Sequence, residues 1–167
     1  MTNRTAAWAT ALAFFLFDQL TKWFVAGPLG LTQLGQHIDL LPFFDFTRVH
    51  NYGISLGLFQ AESETGRWIL VGLTAAIAAM VAFWITREDK RGDQLALAMV
   101  LGGALGNIVD RVRFGYVFDF LDLHFGEFRP FYVFNVADAA ISIGVVILLL
   151  RAFLVKSGAP EENLDHA

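Results

Sequence analysis

The sequence has no cysteine, which removes thiol nucleophiles, disulfides and cysteine metal sites together. Charge is scarce as well. Charged residues make up 17% of the chain and hydrophobic ones 56%, where an average soluble domain carries about 25% and about 45–50%. The net charge of −4 shows no basic excess, so nucleic acid is not expected as a partner. His50 and His124 stand apart and no pair has metal-ligand spacing such as HExxH, so neither a metal nor another cofactor is expected. No internal repeat or low-complexity stretch interrupts the 167 residues, a length that fits one domain over 1–167.

What the chain does have is apolar residues gathered in runs. The first covers 6–26 and reaches roughly 30 Å as a helix, the thickness of a bilayer core. It is almost wholly apolar up to Phe17, and Asp18, Gln19 and Lys22 then interrupt it. The second covers 68–86 and has no charge from Trp68 to Ile85. The third, 94–112, carries Gly102-Gly103-Ala104-Leu105-Gly106, small residues that let helices approach closely in lipid. The fourth, 136–155, has Asp138 at its start and Arg151 near its end. The four Trp lie near the ends of these runs, where interfacial aromatics belong. The expected fold is membrane all-α: four transmembrane helices with a small extracytoplasmic β-rich insertion between helices 1 and 2. Two other readings compete. A cleaved signal peptide would explain the first run, but Asp18 and Lys22 fall where a small, neutral cleavage region belongs. A soluble helical bundle conflicts with the uncharged second run.

Four spans put both termini on one side. Arg4, Arg87, Lys90, Arg91, Arg151 and Lys156 share that side; Lys22, Arg48, Arg67, Arg111, Arg113 and Arg129 share the other. The short loop from Arg87 to Arg91 holds three of these cations, and short loops carry most of the positive-inside signal. The termini are therefore expected in the cytoplasm. The insertion, 27–67, follows Gly27-Pro28, which ends the first helix. Within it, Gln36 to Leu41 and Phe43 to Val49 read as strands broken by Pro42. Ile54, Leu56 and Leu58 alternate as a further strand would. From Arg113 to Phe134 aromatics dominate, and Tyr116-Val117-Phe118-Asp119-Phe120 fits a strand or extended loop at the lipid interface. The tail, 157–167, is polar and expected to be mobile.

Ionisable groups in or beside spans are costly and mark function by default. Here they collect at one end of the spans. Asp18 and Lys22 are spaced i, i+4; Asn107, Asp110 and Arg111 share a face at the end of span three; Asn135 and Asp138 are spaced i, i+3; Asp119 lies between. Each has a plainer explanation. Asp18 with Lys22 makes a helix-end ion pair, Asn135 an N-cap, and Asp110 with Arg111 a solvated helix end. Asp138, one turn into an apolar helix, is the hardest to explain that way. With no thiol and no metal-ligand spacing in the chain, two close carboxylates are a complete means of hydrolysing a peptide. One ionises and takes a proton from water, while the other stays protonated and hydrogen-bonds the scissile carbonyl.

The chain resembles the lipoprotein signal peptidases (signal peptidase II) of bacteria. The likeness rests on five motifs in order: Asp18-Gln19-Leu20-Thr21-Lys22, Asn51-Tyr52-Gly53, Gly102-Gly103-Ala104-Leu105-Gly106-Asn107 with Asp110-Arg111, Val117-Phe118-Asp119-Phe120, and Phe134-Asn135-Val136-Ala137-Asp138. The resemblance implies that Asp119 and Asp138 are the catalytic dyad of an aspartyl endopeptidase. It implies supporting or substrate-binding places for Asp18, Lys22, Asn51, Gly53, Asn107, Asp110, Arg111, Asn135 and Ala137. It also implies the substrate, a prolipoprotein whose lipobox cysteine carries diacylglycerol, cut on the amino side of that cysteine at the outer surface of the bacterial inner membrane. Membrane lipid is the other expected partner, and the chain is expected to act as a monomer. One departure is visible: Ile54-Ser55-Leu56 follows Gly53 where the family usually has Ala-Ala-Phe. The first turn of a helix favours an anion at Asp138, which makes Asp119 the expected holder of the proton. A proton-coupled transporter and a non-catalytic adaptor are the competing functions. The polar groups at one end of the spans, with no relay through the other half, speak against the first.

Overall fold

The structure is a computed structural model and describes residues 3–53 and 63–157. Helices cover all four apolar runs: α1 Asn3–Ala26, α2 Glu64–Arg87, α3 Arg91–Phe114 and α4 Val136–Ser157. They extend past the apolar runs because polar residues close them. Ser63 caps α2, its hydroxyl accepting from the Gly66 N–H at 3.0 Å. Gly115 ends α3 in the left-handed region at φ 85°, and its N–H bonds the Arg111 carbonyl, a turn that a Cβ would strain.

Three helices, α2, α3 and α4, are long and apolar enough to cross a membrane. α1 has the same length as α2, 24 residues, but includes Asp18, Gln19 and Lys22. α3 occupies the centre and packs against α1, α2 and α4. Its glycines make that possible. A Cβ on Gly102 would meet the Ala11 carbonyl and Phe14 of α1, one on Gly103 the Ala137 carbonyl of α4, and one on Gly106 the Asp18 carboxylate. Ala7, Ala11, Ala78, Val81, Ile85, Leu97, Ala98 and Leu101 fill the helical core. Outward, α2 and α4 present Ile69, Leu73, Ile77, Met80, Phe83, Ile143, Val146 and Leu150, an apolar surface far too extensive for water.

Three strands form one antiparallel sheet in the order β1 (His37–Leu41), β2 (Phe44–Asn51) and β3 (Val117–Leu123). The two expected strands of the 27–67 insertion are present as the β1–β2 hairpin. The third strand comes from the aromatic segment between α3 and α4, where the alternation over 116–120 fits a strand or extended loop; its pairing with the hairpin is what the sequence reading lacks. Backbone pairing across 66 residues of sequence, as between Asn51 and Val117, leaves no local pattern to read. The alternation at Ile54, Leu56 and Leu58 lies outside the described residues, as do Ser55 and residues 158–167 of the tail. Beneath the sheet, Phe118 and Phe120 bury themselves against Val25 and Leu31, tying it to the end of α1.

Candidate active site

The register of the β2–β3 pair selects the neighbours of Asp119. Phe46 pairs with Leu121, but Val49 pairs with Asp119, so β2 carries one extra residue as a bulge. Past a one-residue bulge the two faces of a strand exchange. Val49 and Asn51 therefore share the face of Asp119, and Arg48 and His50 share the opposite face with Phe118. Asn51 Nδ2 donates to Asp119 Oδ2 at 2.9 Å. Its Oδ1 accepts the Gly53 N–H at 2.9 Å, which fixes which end of the amide faces the carboxylate. Gly53 sits at φ 105°, closed to most other residues.

Asn135 holds the other oxygen of Asp119, its Nδ2 donating at 2.6 Å. It is also the N-cap of α4. Its Oδ1 accepts the Asp138 N–H at 2.9 Å, and its own N–H donates to Asp138 Oδ2 at 3.2 Å. This reciprocal box satisfies donors that a helix start leaves open. The N-cap reading of Asn135 is thus correct and incomplete, because the same side chain reaches Asp119 and, at 3.2 Å, Asn107. Asn107 Nδ2 donates to the second oxygen of Asp138, Oδ1, at 2.8 Å. Both carboxylates are held by amide donors on both of their oxygens.

The Asp119 carboxyl is pushed up to about 7, first by burial and then by the charge of Asp138, since taking an anion out of water next to another anion favours the proton. Asp119 is 1% exposed. A buried acid that holds its proton near neutral pH beside a second carboxylate provides a hydrogen-bond donor and a base together.

A second polar cluster lies on the α1 side. Lys22 Nζ is 2.8 Å from Asp18 and 2.7 Å from Asp110, with all three side chains buried. The ion pair of Asp18 with Lys22 is therefore present but buried, and the solvated alternative fails for Asp110. Asp18 Oδ1 accepts the Ala137 N–H at 3.0 Å, so α1 satisfies another open donor of α4 and Ala137 contributes its backbone. Asp110 Oδ2 accepts the Phe118 N–H at 3.2 Å, fixing β3 one residue before Asp119. Lys22 also reaches Asn107 Oδ1 at 3.4 Å, which links this cluster to Asp138. Arg111 Nη1 donates to the Asn107 carbonyl at 3.5 Å, and its guanidinium feels the charges of Asp138, Asp119 and Asp110. Asp110 and Arg111 do not share one role: Asp110 faces α1, and Arg111 lies within the field of the pair.

The sequence reading leaves out one site member, Gln19, and one buried carboxylate outside the site, Asp122. Gln19 Nε2 donates to Asp18, Asp110 and the Gly106 carbonyl at 3.0–3.3 Å; an amide inside an apolar run was the signal. Asp122 is buried and bonds Thr47 at 2.9 Å and Arg129 at 3.1 Å. Three residues from Asp119 on one strand, it faces the other way, and nothing in the aromatic segment distinguishes it in advance.

Apolar helices around an amide-held aspartate pair, with Asp119 buried and Asp138 half-buried, fit an aspartic-type peptidase of the membrane. Residues 10–154 match the family model described as signal peptidase (SPase) II. The chain is 59% identical over 153 residues to the lipoprotein signal peptidase of Sphingopyxis alaskensis, covering 92% of this chain and 88% of that one. It is 52% identical over 164 residues to that of Rhizorhabdus wittichii, covering 98% and 95%. It superposes with a TM-score of 0.78 on a bacterial membrane enzyme solved by the in meso method at 2.3 Å, at 26% identity and with 96% and 94% of the two chains covered. The chain belongs to the signal peptidase II family.

Proposed function

We propose that this protein is a membrane-embedded aspartyl endopeptidase that removes the signal peptide from diacylglyceryl-modified prolipoproteins, cutting on the amino side of the lipidated cysteine, with Asp119 and Asp138 as its dyad. The observation that carries the reading is Asn135, which donates through its side chain to Asp119 and through its backbone to Asp138 and so holds the two carboxylates side by side. In the reaction, ionised Asp138 takes a proton from water as the oxygen attacks the scissile carbonyl. Protonated Asp119 hydrogen-bonds the carbonyl oxygen and stabilises the charge that develops there. Collapse of the tetrahedral intermediate breaks the C–N bond, and a proton from the dyad goes to the leaving amine.

The same reading makes α1 a fourth span. Its polar groups are turned inward, while Leu12, Leu16, Leu20 and Trp23 lie exposed on its outer side, so lipid meets an apolar face. With Arg87 and Arg91 flanking a short α2–α3 turn, the termini fall in the cytoplasm of the inner membrane and the dyad near its outer surface. That depth suits a substrate anchored by its acyl chains and entering from the bilayer, and the chain acts as a monomer.

The test is cleavage of a diacylglyceryl prolipoprotein by the purified chain in detergent. Loss of cleavage in both Asp119→Asn and Asp138→Asn, with the fold retained, is expected. Full cleavage by either variant removes the dyad.

A further inference from the structure

A cavity of about 340 Å³ opens between the ends of α1 and α3 and the edge of β3. This volume falls within the ~300–1,000 Å³ of small-ligand sites. It lies across the sheet from Asp119. The bulge that turns Asn51 toward Asp119 turns Arg48 the other way, where its guanidinium stands 4.6 Å from the centre of the Phe118 ring and donates to the Leu31 carbonyl at 2.8 Å, to His50 Nε2 at 3.2 Å and to the Tyr116 hydroxyl at 3.3 Å, all neutral acceptors that leave its charge uncompensated. Arg113, Phe114, Trp23 and Tyr116 also line it. Trp23 is 66% exposed and Phe114 51%, so the mouth opens sideways, at the level where these helices end.

The charge in this cavity is not balanced. Asp110 is its only carboxylate among the described residues, and Lys22, Gln19 and the Phe118 N–H already engage it. Neither Arg48 nor Arg113 forms an ion pair among the described residues. The carbonyls at the helix ends offer little compensation, because the Trp23, Val25 and Arg111 carbonyls accept from Gly27, Leu31 and Gly115. Two guanidinium groups without a counter-ion, set among aromatic rings at a membrane surface, match one chemistry: a phosphodiester with its glycerol against the rings.

We propose that this cavity binds the headgroup phosphate of an anionic phospholipid, with Arg113 at its mouth and Arg48 at its base. The site rests on the membrane placement of α1 and α3 and not on the aspartate pair. A bound lipid would seal the α1–α3 seam beside Lys22.

The test is native mass spectrometry of the full chain in detergent, titrated with short-chain phosphatidylglycerol, phosphatidylcholine or inorganic phosphate. Phosphatidylglycerol should bind roughly 10-fold more tightly than phosphatidylcholine, as a charge-assisted phosphate contact at a partly wet site allows. Arg113→Gln should remove most of that preference, Arg113→Lys should keep part of it, and Arg91→Gln at the other end of α3 should leave it unchanged. Arg113 is exposed, so its replacement should leave folding intact, whereas Arg48 also holds the Leu31 carbonyl. Equal binding of the two lipids, equal loss in Arg91→Gln, or displacement by phosphate as effective as by phosphatidylglycerol would overturn the proposal. Because binding is read without cleavage, that failure would leave the peptidase reading untouched.

Discussion

Replacing Asp119 by Asn should make the stability of the protein less dependent on pH while abolishing its activity. The Asp119 carboxyl rises from its ordinary 3.8 to about 7 in the folded chain. Between those values the folded chain holds a proton that the unfolded chain has lost, so stability falls as pH rises through this window. The full effect is present below about 4, lost by about 7, and amounts to about 4 kcal/mol at ~1.4 kcal/mol per pH unit. Asn carries no such dependence. It brings a different cost, because its NH2 must face either Asn51 Nδ2 or Asn135 Nδ2, which now donate to the two oxygens at 2.9 and 2.6 Å. Two donors face to face lose a buried hydrogen bond, about 1–3 kcal/mol. The variant should therefore be less stable than the parent at pH 4 and more stable at pH 8. Thermal unfolding in detergent, followed by tryptophan fluorescence at each pH, reads the difference directly. The melting difference should swing by about 10 °C across the range, at about 2–4 °C per kcal/mol for a chain of this size. Parallel melting curves at all pH values would refute the burial argument, and with it the assignment of the proton to Asp119.

Further outcomes follow from the same contacts. Cleavage by the parent chain should decline as pH rises through about 7, where Asp119 loses its proton; a rate that stays flat to pH 9 would contradict its role as acid. Asn135→Ala removes a helix cap and the bonds to Asp119 and Asn107. It should lower stability by about 1–3 kcal/mol and cut kcat far more than KM, as single-turnover kinetics will show. Lys22→Met leaves Asp18 and Asp110 buried without their cation and should cost about 3–5 kcal/mol; unchanged denaturant unfolding would mean that those acids are already neutral. Gly106→Ala puts a methyl group into the Asp18 carboxylate and should destabilise by about 1–3 kcal/mol. Gly72→Ala, which meets nothing within 4 Å, should be neutral or slightly stabilising in the same melt.

Much of the architecture was legible because hydropathy and helix periodicity are local. The four apolar runs became four helices, and the small residues of the third run became its contacts with α1 and α4, since a missing Cβ determines how near two backbones come. The candidate site was legible as a set, because a carboxylate or amide at the end of an apolar helix is costly unless it has a partner. Which partner it takes is another matter. The sequence alone could not show that Asp110 turns to Lys22 while Arg111 stays near the aspartates, although the two are adjacent in the chain.

The sequence by itself determined the apolar helices, the absence of thiol chemistry, and the concentration of acids and amides at one end of those helices. The tertiary structure alone decided how those groups are wired. The bulge between Phe46 and Val49 brings Asn51 rather than His50 beside Asp119; the start of α4 makes one asparagine bridge both carboxylates; and β3 joins a hairpin from a distant part of the chain. The physical reason is range. Burial preference and backbone periodicity act within a few residues, but strand register and the proton affinity of Asp119 depend on atoms that only folding brings together.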